Sequence, residues 1–168
     1  MPLTQGQVLN NRYRIVRLLG QGGFGAVYRA WDMNLNIPVA LKENLNITPE
    51  AVRQFEREAR FLASLRHEGL PFVIDHFSLA DQGQYMVMQY IEGSDLQQLL
   101  DQNPAGLPEA QFFPWFEQIC EALSYLHQQS PPVIHRDIKP ANIKITPEGR
   151  AVLVDFGIAK QYKPGHQT

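Results

Sequence analysis

The sequence predicts an α+β fold in two lobes, a β-rich one over residues 1–91 and a helix-rich one over residues 92–168. Three observations carry this prediction. β-formers alternate on both sides of a glycine run, over Tyr13–Leu19 and Ala26–Trp31, which makes a hairpin. A single helical period, Val52, Phe55, Ala59, Leu62 and Leu65, interrupts the strand-like segments of the first lobe. In the second lobe the pattern turns helical, with Phe112, Phe116, Ile119, Leu123 and Leu126 at i, i+3 and i+4 spacing.

The elements follow in order. The hairpin comes first, and Ile37–Lys42 is the third strand, with Pro38 suited to a first position or an edge. Thr48-Pro49-Glu50 starts the helix, proline being pre-organised for the first helical position. Gly69 and Pro71 close that region. Phe72–Leu79 and Tyr85–Tyr90 are two more strands around the turn Asp81-Gln82-Gly83, so the first lobe has five strands and one helix. Asp95–Leu100 is a short helix and 109–128 a long one. Pro114 predicts either a kink there or a helix that begins near Phe113, because proline is tolerated only in the first turn. A loop rich in proline and charge, "SPPVIHRDIKPANIKI", leads into a short strand, and Ala151–Val154 is another, ending at Asp155-Phe156-Gly157. A cleft between the lobes is expected near Glu92-Gly93.

Bulk properties narrow the function classes. At 168 residues, 44% hydrophobic and 19% charged, the chain is in the range of soluble globular proteins. A net charge of −2 predicts no strong attraction to nucleic acid or acidic lipid. Cys120 is the one cysteine, so no internal disulfide is possible, and its apolar helical setting predicts a buried, inert thiol. The N-terminus has no basic region followed by an apolar core, and no run is long enough to span a bilayer, so a cytoplasmic protein with no membrane segment is expected.

The run Gly20-x-Gly22-x-x-Gly25 fits a phosphate-binding loop, a dinucleotide-binding turn or a plain tight turn. A dinucleotide turn runs into a helix, and Ala26–Trp31 has no helix period. An oxidoreductase is thereby disfavoured. The glycine hairpin, Lys42 in "VALK", Asp137 in "HRDIKPAN" and Asp155 in "DFG" stand in one fixed order. Together they resemble the eukaryotic-type serine/threonine protein kinase family, in its bacterial-like form, from about Tyr13 to Gly157.

The resemblance implies a protein-kinase-like fold, ATP and Mg²⁺ as cofactors, and a protein substrate bearing serine or threonine. Phosphoryl transfer needs positioning, neutralised phosphate charge and an acceptor for the hydroxyl proton. Gly20, Gly22 and Gly25, with Leu19, Gln21 and Gly23 in the same loop, would close over the phosphates, and Phe24 would shield them from water. Val27 would pack on the adenine and the small Ala40 would leave it room. Met88 would stand at the back of the pocket, and backbone groups of Gln89 and Ile91 in the hinge would bond the adenine edge. Asp95 could reach the ribose or simply cap a helix.

Lys42 would hold the α- and β-phosphates. Glu58 in "FEREAR" is the expected ion-pair partner, and Glu56, two residues away, points elsewhere on the helix. Asp137 would orient the substrate hydroxyl, Lys139 would neutralise the γ-phosphate, and Asn142 and Asp155 would hold Mg²⁺. Lysine two places after the catalytic aspartate marks serine/threonine rather than tyrosine kinases in this family. His135 and Phe156 resemble packing residues in an apolar column with Leu62 and Val73. Arg136 would meet a phosphorylated activation loop.

Two departures stand out. Lys144 occupies a position where the family has an aliphatic residue under the adenine, and its methylene stem could serve as that floor with the ammonium turned outward. The sequence also ends at Thr168, before the peptide-binding helices that the family carries, so a truncated kinase is expected, with part of the long helix exposed. The alternative is a nucleotide-binding, catalytically silent kinase-like fragment.

Overall fold

The computed structural model describes residues 3–22, 25–46, 48–79, 83–135, 137–154 and 160–161. The chain divides into two compact units, Met1–Arg66 with Phe72–Tyr90, and His67–Pro71 with Ile91–Thr168.

The first unit is a six-stranded antiparallel sheet and one helix. Its strands are β1 (Val8–Leu9), β2 (Tyr13–Gly22), β3 (Gly25–Asp32), β4 (Ile37–Asn44), β5 (Val73–Leu79) and β6 (Gly83–Gln89), in the order β1-β2-β3-β4-β6-β5. The five expected strands are present, and the two-residue β1, too short for any periodicity to reveal, extends the edge beside β2.

Alternation separates the two faces of this sheet. One face carries the unit's apolar core, including Tyr13, Ile15, Tyr28, Leu41, Tyr85 and Val87. Phe77 stacks between Tyr13 and Tyr85, with centroids 5.6 and 5.2 Å away. Glu43 is buried among these residues and accepts hydrogen bonds from the hydroxyls of Tyr28 (3.3 Å) and Tyr85 (3.4 Å). Burial holds its carboxyl above the ordinary range, and the Tyr85 hydroxyl is pushed up to about 12, mainly by desolvation.

On the other face, ladder partners place Gly20, Val27, Lys42, Met86 and His76 in one row across five strands. Helix α1 (Pro49–Ser64) packs there. Thr48 caps it, its hydroxyl accepting from Ala51 N at 3.3 Å, and Pro49 occupies the first turn as the sequence predicts. Phe55, Ala59 and Leu62 form the buried stripe, and the Phe55 ring lies 5.6 Å from that of His76.

The second unit contains β7 (Ser94–Asp95), α2 (Leu96–Gln102), α3 (Glu109–His127), β8 (Val133–Ile134), a 3₁₀ turn (Pro140–Asn142), β9 (Ile143–Ile145), β10 (Ala151–Leu153) and β11 (Lys160–Gln161). β10, β9 and β7 form one small sheet, and β11 pairs with β8. No described helix is long and apolar enough to cross a membrane.

Helix α3 corrects two expectations. It spans Glu109–His127, close to the expected 109–128, so the alternative start near Phe113 is not taken and Pro114 sits inside it. That stretch is exposed, so water can satisfy the carbonyl that the missing N–H would have met. Its buried stripe is Trp115, Ile119, Ala122 and Leu126, so Ile119 and Leu126 of the expected face are inside, while Phe112 and Phe116, 37% and 51% exposed, are not. The helix is apolar on more than one side, so periodicity alone could not choose. Tertiary contacts choose instead: Trp115 Nε1 donates to Gly149 O at 2.9 Å, Gln118 Oε1 accepts from Ala151 N at 2.7 Å, and the methyl of Ala122 fits against Gly69. Cys120 falls on the far side and is exposed, not buried.

Candidate functional site

Lys42 projects from β4 between Val27 on β3 and Met86 on β6. Its Nζ stands 3.4 Å from Glu58 Oε1 on α1, with both side chains 18% exposed, and 5.9 Å from the centroid of the Phe55 ring. Glu58 is thus the helix carboxylate that meets Lys42. Glu56 lies near His76 instead, where burial lowers the imidazole pKa and Glu56 only partly opposes that. Burial raises the Glu58 carboxyl above its ordinary range, and the nearby ammonium only partly opposes this. A charged pair held this way presents a cation at a half-buried site.

The glycines of the hairpin have different physical reasons. At Gly25 φ is +154°, and a Cβ would overlap the carbonyl of Glu43, so β4 itself demands glycine there. At Gly20 a Cβ would meet nothing within 4 Å among the described residues, so they do not require glycine at that position. Gly22 pairs with Gly25 across the hairpin. Leu19 and Gln21 are exposed. Gly23 and Phe24 lie outside the described residues.

Val27 and Ala40 are half-buried on the same face as Lys42, and Ala40 pairs with Met88, which is 9% exposed. The N–H of Gln89 donates to Phe72 O at 2.9 Å. Arg29, on this face, lies 5.0 Å over the ring of Tyr90, a contact no sequence pattern signalled. Ile91 is buried in the second unit.

The loop before β9 gathers a second set. Asn142, 5% exposed, donates its Nδ2 to both the carbonyl of Asp137 (2.8 Å) and Asp137 Oδ2 (2.9 Å). Lys139 Nζ lies 3.3 Å from the same carboxylate oxygen. The Asn142 hydrogen bond, then Lys139, hold the Asp137 carboxyl below the ordinary range despite some desolvation. With its nitrogen engaged, the Asn142 amide keeps its oxygen as the end suited to a cation. His135, 1% exposed, accepts from Asp137 N at its Nδ1 (3.3 Å). Its Nε2, 3.3 Å from Val154 O, is then the protonated nitrogen, so this ring links the loop to the end of β10 through hydrogen bonds as well as packing.

Asp95 is the N-cap of α2. Its Oδ1 accepts from Gln98 N at 2.8 Å, and Gln98 Oε1 accepts from Asp95 N at 3.0 Å. The helix therefore starts at Leu96, one residue later than the sequence predicts. Lys144 donates to Gly93 O at 3.0 Å in an exposed contact, so its ammonium is tethered to backbone at the surface.

Asp155, Phe156 and Arg136 lie outside the described residues. Among the described residues no group of three or more His, Cys, Asp or Glu could hold a metal ion. Asn142 supplies an oxygen of the kind Mg²⁺ prefers.

The protein kinase domain family matches residues 13–168. The chain is 36% identical over 167 residues to probable serine/threonine-protein kinase YbdM of Bacillus subtilis, covering 97% of this chain and 63% of that protein. It is 34% identical to serine/threonine-protein kinase pkn2 of Myxococcus xanthus, covering 94% of this chain and 19% of that protein. It is 37% identical to serine/threonine-protein kinase PknA of Mycobacterium tuberculosis, covering 92% of this chain and 37% of that protein. The chain thus spans less than two thirds of each of these relatives.

Proposed function

The chain belongs to the protein kinase family, and from that premise we propose that it serves ATP-dependent phosphoryl transfer to serine and threonine hydroxyls of proteins. What supports this most is one observation: Lys42 is paired with Glu58, and Asp137 is held by Asn142 and Lys139, all at the positions where the motifs fall.

In this reading Lys42 carries the α- and β-phosphates, and Glu58 keeps its ammonium at the site. Gly20 lets backbone approach the phosphates closely. Val27, Ala40 and Met88 flank the adenine, with the Gln89 carbonyl and the Ile91 N–H at its edge. Asn142 and Asp155 would hold Mg²⁺, which would neutralise phosphate charge. Asp137 accepts the hydrogen bond of the substrate hydroxyl and aims its oxygen at the γ-phosphorus. That oxygen bonds to phosphorus, the bond to the β-phosphate oxygen breaks to leave ADP, and the hydroxyl proton passes to the Asp137 carboxylate. A carboxylate kept below its usual range is a weak base, so its first task is orientation, with the proton moving late. Lys139 offsets charge on the transferred group. We place the activity in the cytoplasm, where Mg·ATP is supplied.

The test is a melting experiment and a transfer assay. Mg·ATP at millimolar concentration should raise the melting temperature, because it binds only the folded state, and Asp155→Ala should shrink that rise. Radiolabel transfer from ATP to casein should be lost in Lys42→Met. No thermal shift in a folded sample would refute the nucleotide site.

A further inference from the structure

Gly93 is held onto β9 in two ways. Its φ is +112°, and a Cβ would overlap the carbonyl of Ile145, so only glycine lets this backbone lie so close. Lys144, the preceding residue of β9, donates its Nζ to the Gly93 carbonyl at 3.0 Å, a contact between residues 51 apart in sequence. The segment then runs directly into β7, where Ser94 pairs with Ile145 and Asp95 with Lys144. Asp95 closes the run by entering the capping box with Gln98. Lys144 therefore ties down the stretch that carries the Asp95 carboxylate, from the ladder position directly opposite it.

We propose that Lys144 is a positioning residue for the ribose end of the nucleotide. By anchoring Gly93 to β9 it sets where Asp95, two residues on, presents its carboxylate to the ribose hydroxyls. This rests on the nucleotide-binding reading above and adds a residue to it. An aliphatic side chain at 144 would pack as well as the lysine stem but would leave Gly93 O without its donor.

The experiment is calorimetric titration of the whole chain with Mg·ADP and with its 2′,3′-dideoxy analogue, in wild type, Lys144→Met and Lys144→Arg. Methionine keeps the stem without the donor, and arginine keeps a donor. Wild type should prefer ADP. Lys144→Met should lose about fivefold in ADP affinity, the usual effect of one hydrogen bond, while binding the dideoxy ligand as wild type does. Lys144→Arg should recover the preference for ADP. An unchanged preference in Lys144→Met, or an equal loss for both ligands, overturns the role assigned to Lys144 and leaves the nucleotide site standing. Wild type that binds neither ligand overturns the nucleotide site itself, and this inference with it.

Discussion

Lys42 reaches Glu58 from a strand to a helix, 16 residues along the chain, whereas Asp137 finds Asn142 within five. The first arrangement is a single contact of 3.4 Å that exists only because α1 is packed on the sheet by Phe55, Ala59 and Leu62. The second is local. A 3₁₀ turn over Pro140–Asn142 swings the amide back onto Asp137, and two hydrogen bonds of 2.8 and 2.9 Å lock it there. One half of the chemistry depends on tertiary packing and the other on loop conformation. They should fail in different ways.

The largest effect is expected at Asp137. Asp137→Asn should slow phosphoryl transfer by about 100- to 10,000-fold, with ATP affinity within about twofold of wild type. Steady-state transfer and nucleotide titration check the split, and near-normal turnover would make Asp137 a structural residue. Next comes Phe55→Ala, which leaves both charges of the first pair in place and removes the packing beneath them. The lost burial and the cavity should cost about 3–5 kcal/mol in denaturant unfolding. The thermal shift on adding Mg·ATP should fall, while the Asp137 carboxyl, followed by carbon NMR, keeps its lowered titration. A Phe55→Ala chain with full ATP response would show that the Lys42 site does not depend on α1.

A smaller effect isolates the pair itself. In a double-mutant cycle of Lys42→Met and Glu58→Gln, the coupling in ATP-induced stabilisation should be about 0.5–3 kcal/mol, the range for residues in contact. Additive effects would mean that Glu58 does not hold the ammonium. The smallest expected change is on the opposite face of the sheet. Burial raises the Glu43 carboxyl, so the folded state favours its protonated form. Wild type is then best off below the ordinary carboxyl range and loses that contribution as pH rises through the folded value. Glu43→Gln should gain about 1 kcal/mol over wild type at pH 8, and the gain should vanish as the pH is lowered toward 4. A pH-independent difference would show that Glu43 is ionised without cost.

Motif positions in the local half were legible because their partners are near in sequence: "HRDIKPAN" contains Asp137, Lys139 and Asn142 together. Helix α1 was legible in its start and in its face, since Thr48-Pro49 and the Phe55, Ala59, Leu62 spacing act locally. Glu58 was preferred to Glu56 on its place in the middle of that helix and on the family resemblance, not on periodicity alone. What was not legible has a common cause. The stripe that α3 buries, the exposure of Cys120 and the tether from Lys144 to Gly93 all depend on neighbours distant in sequence.

By itself the sequence determined the family, the order of the longer strands and helices, and the residue types that handle phosphate and hydroxyl, because these rest on periodicity and on motifs within a few residues. Tertiary structure alone decided which of several apolar stripes α3 turns inward and that Gly25 answers to the Glu43 carbonyl as well as to any ligand. A helix apolar on more than one side satisfies its own period in more than one orientation, and a glycine pattern looks the same whether backbone or phosphate comes close to it. Only the neighbour that arrives in space, Gly149 for Trp115 or β4 for Gly25, selects between them.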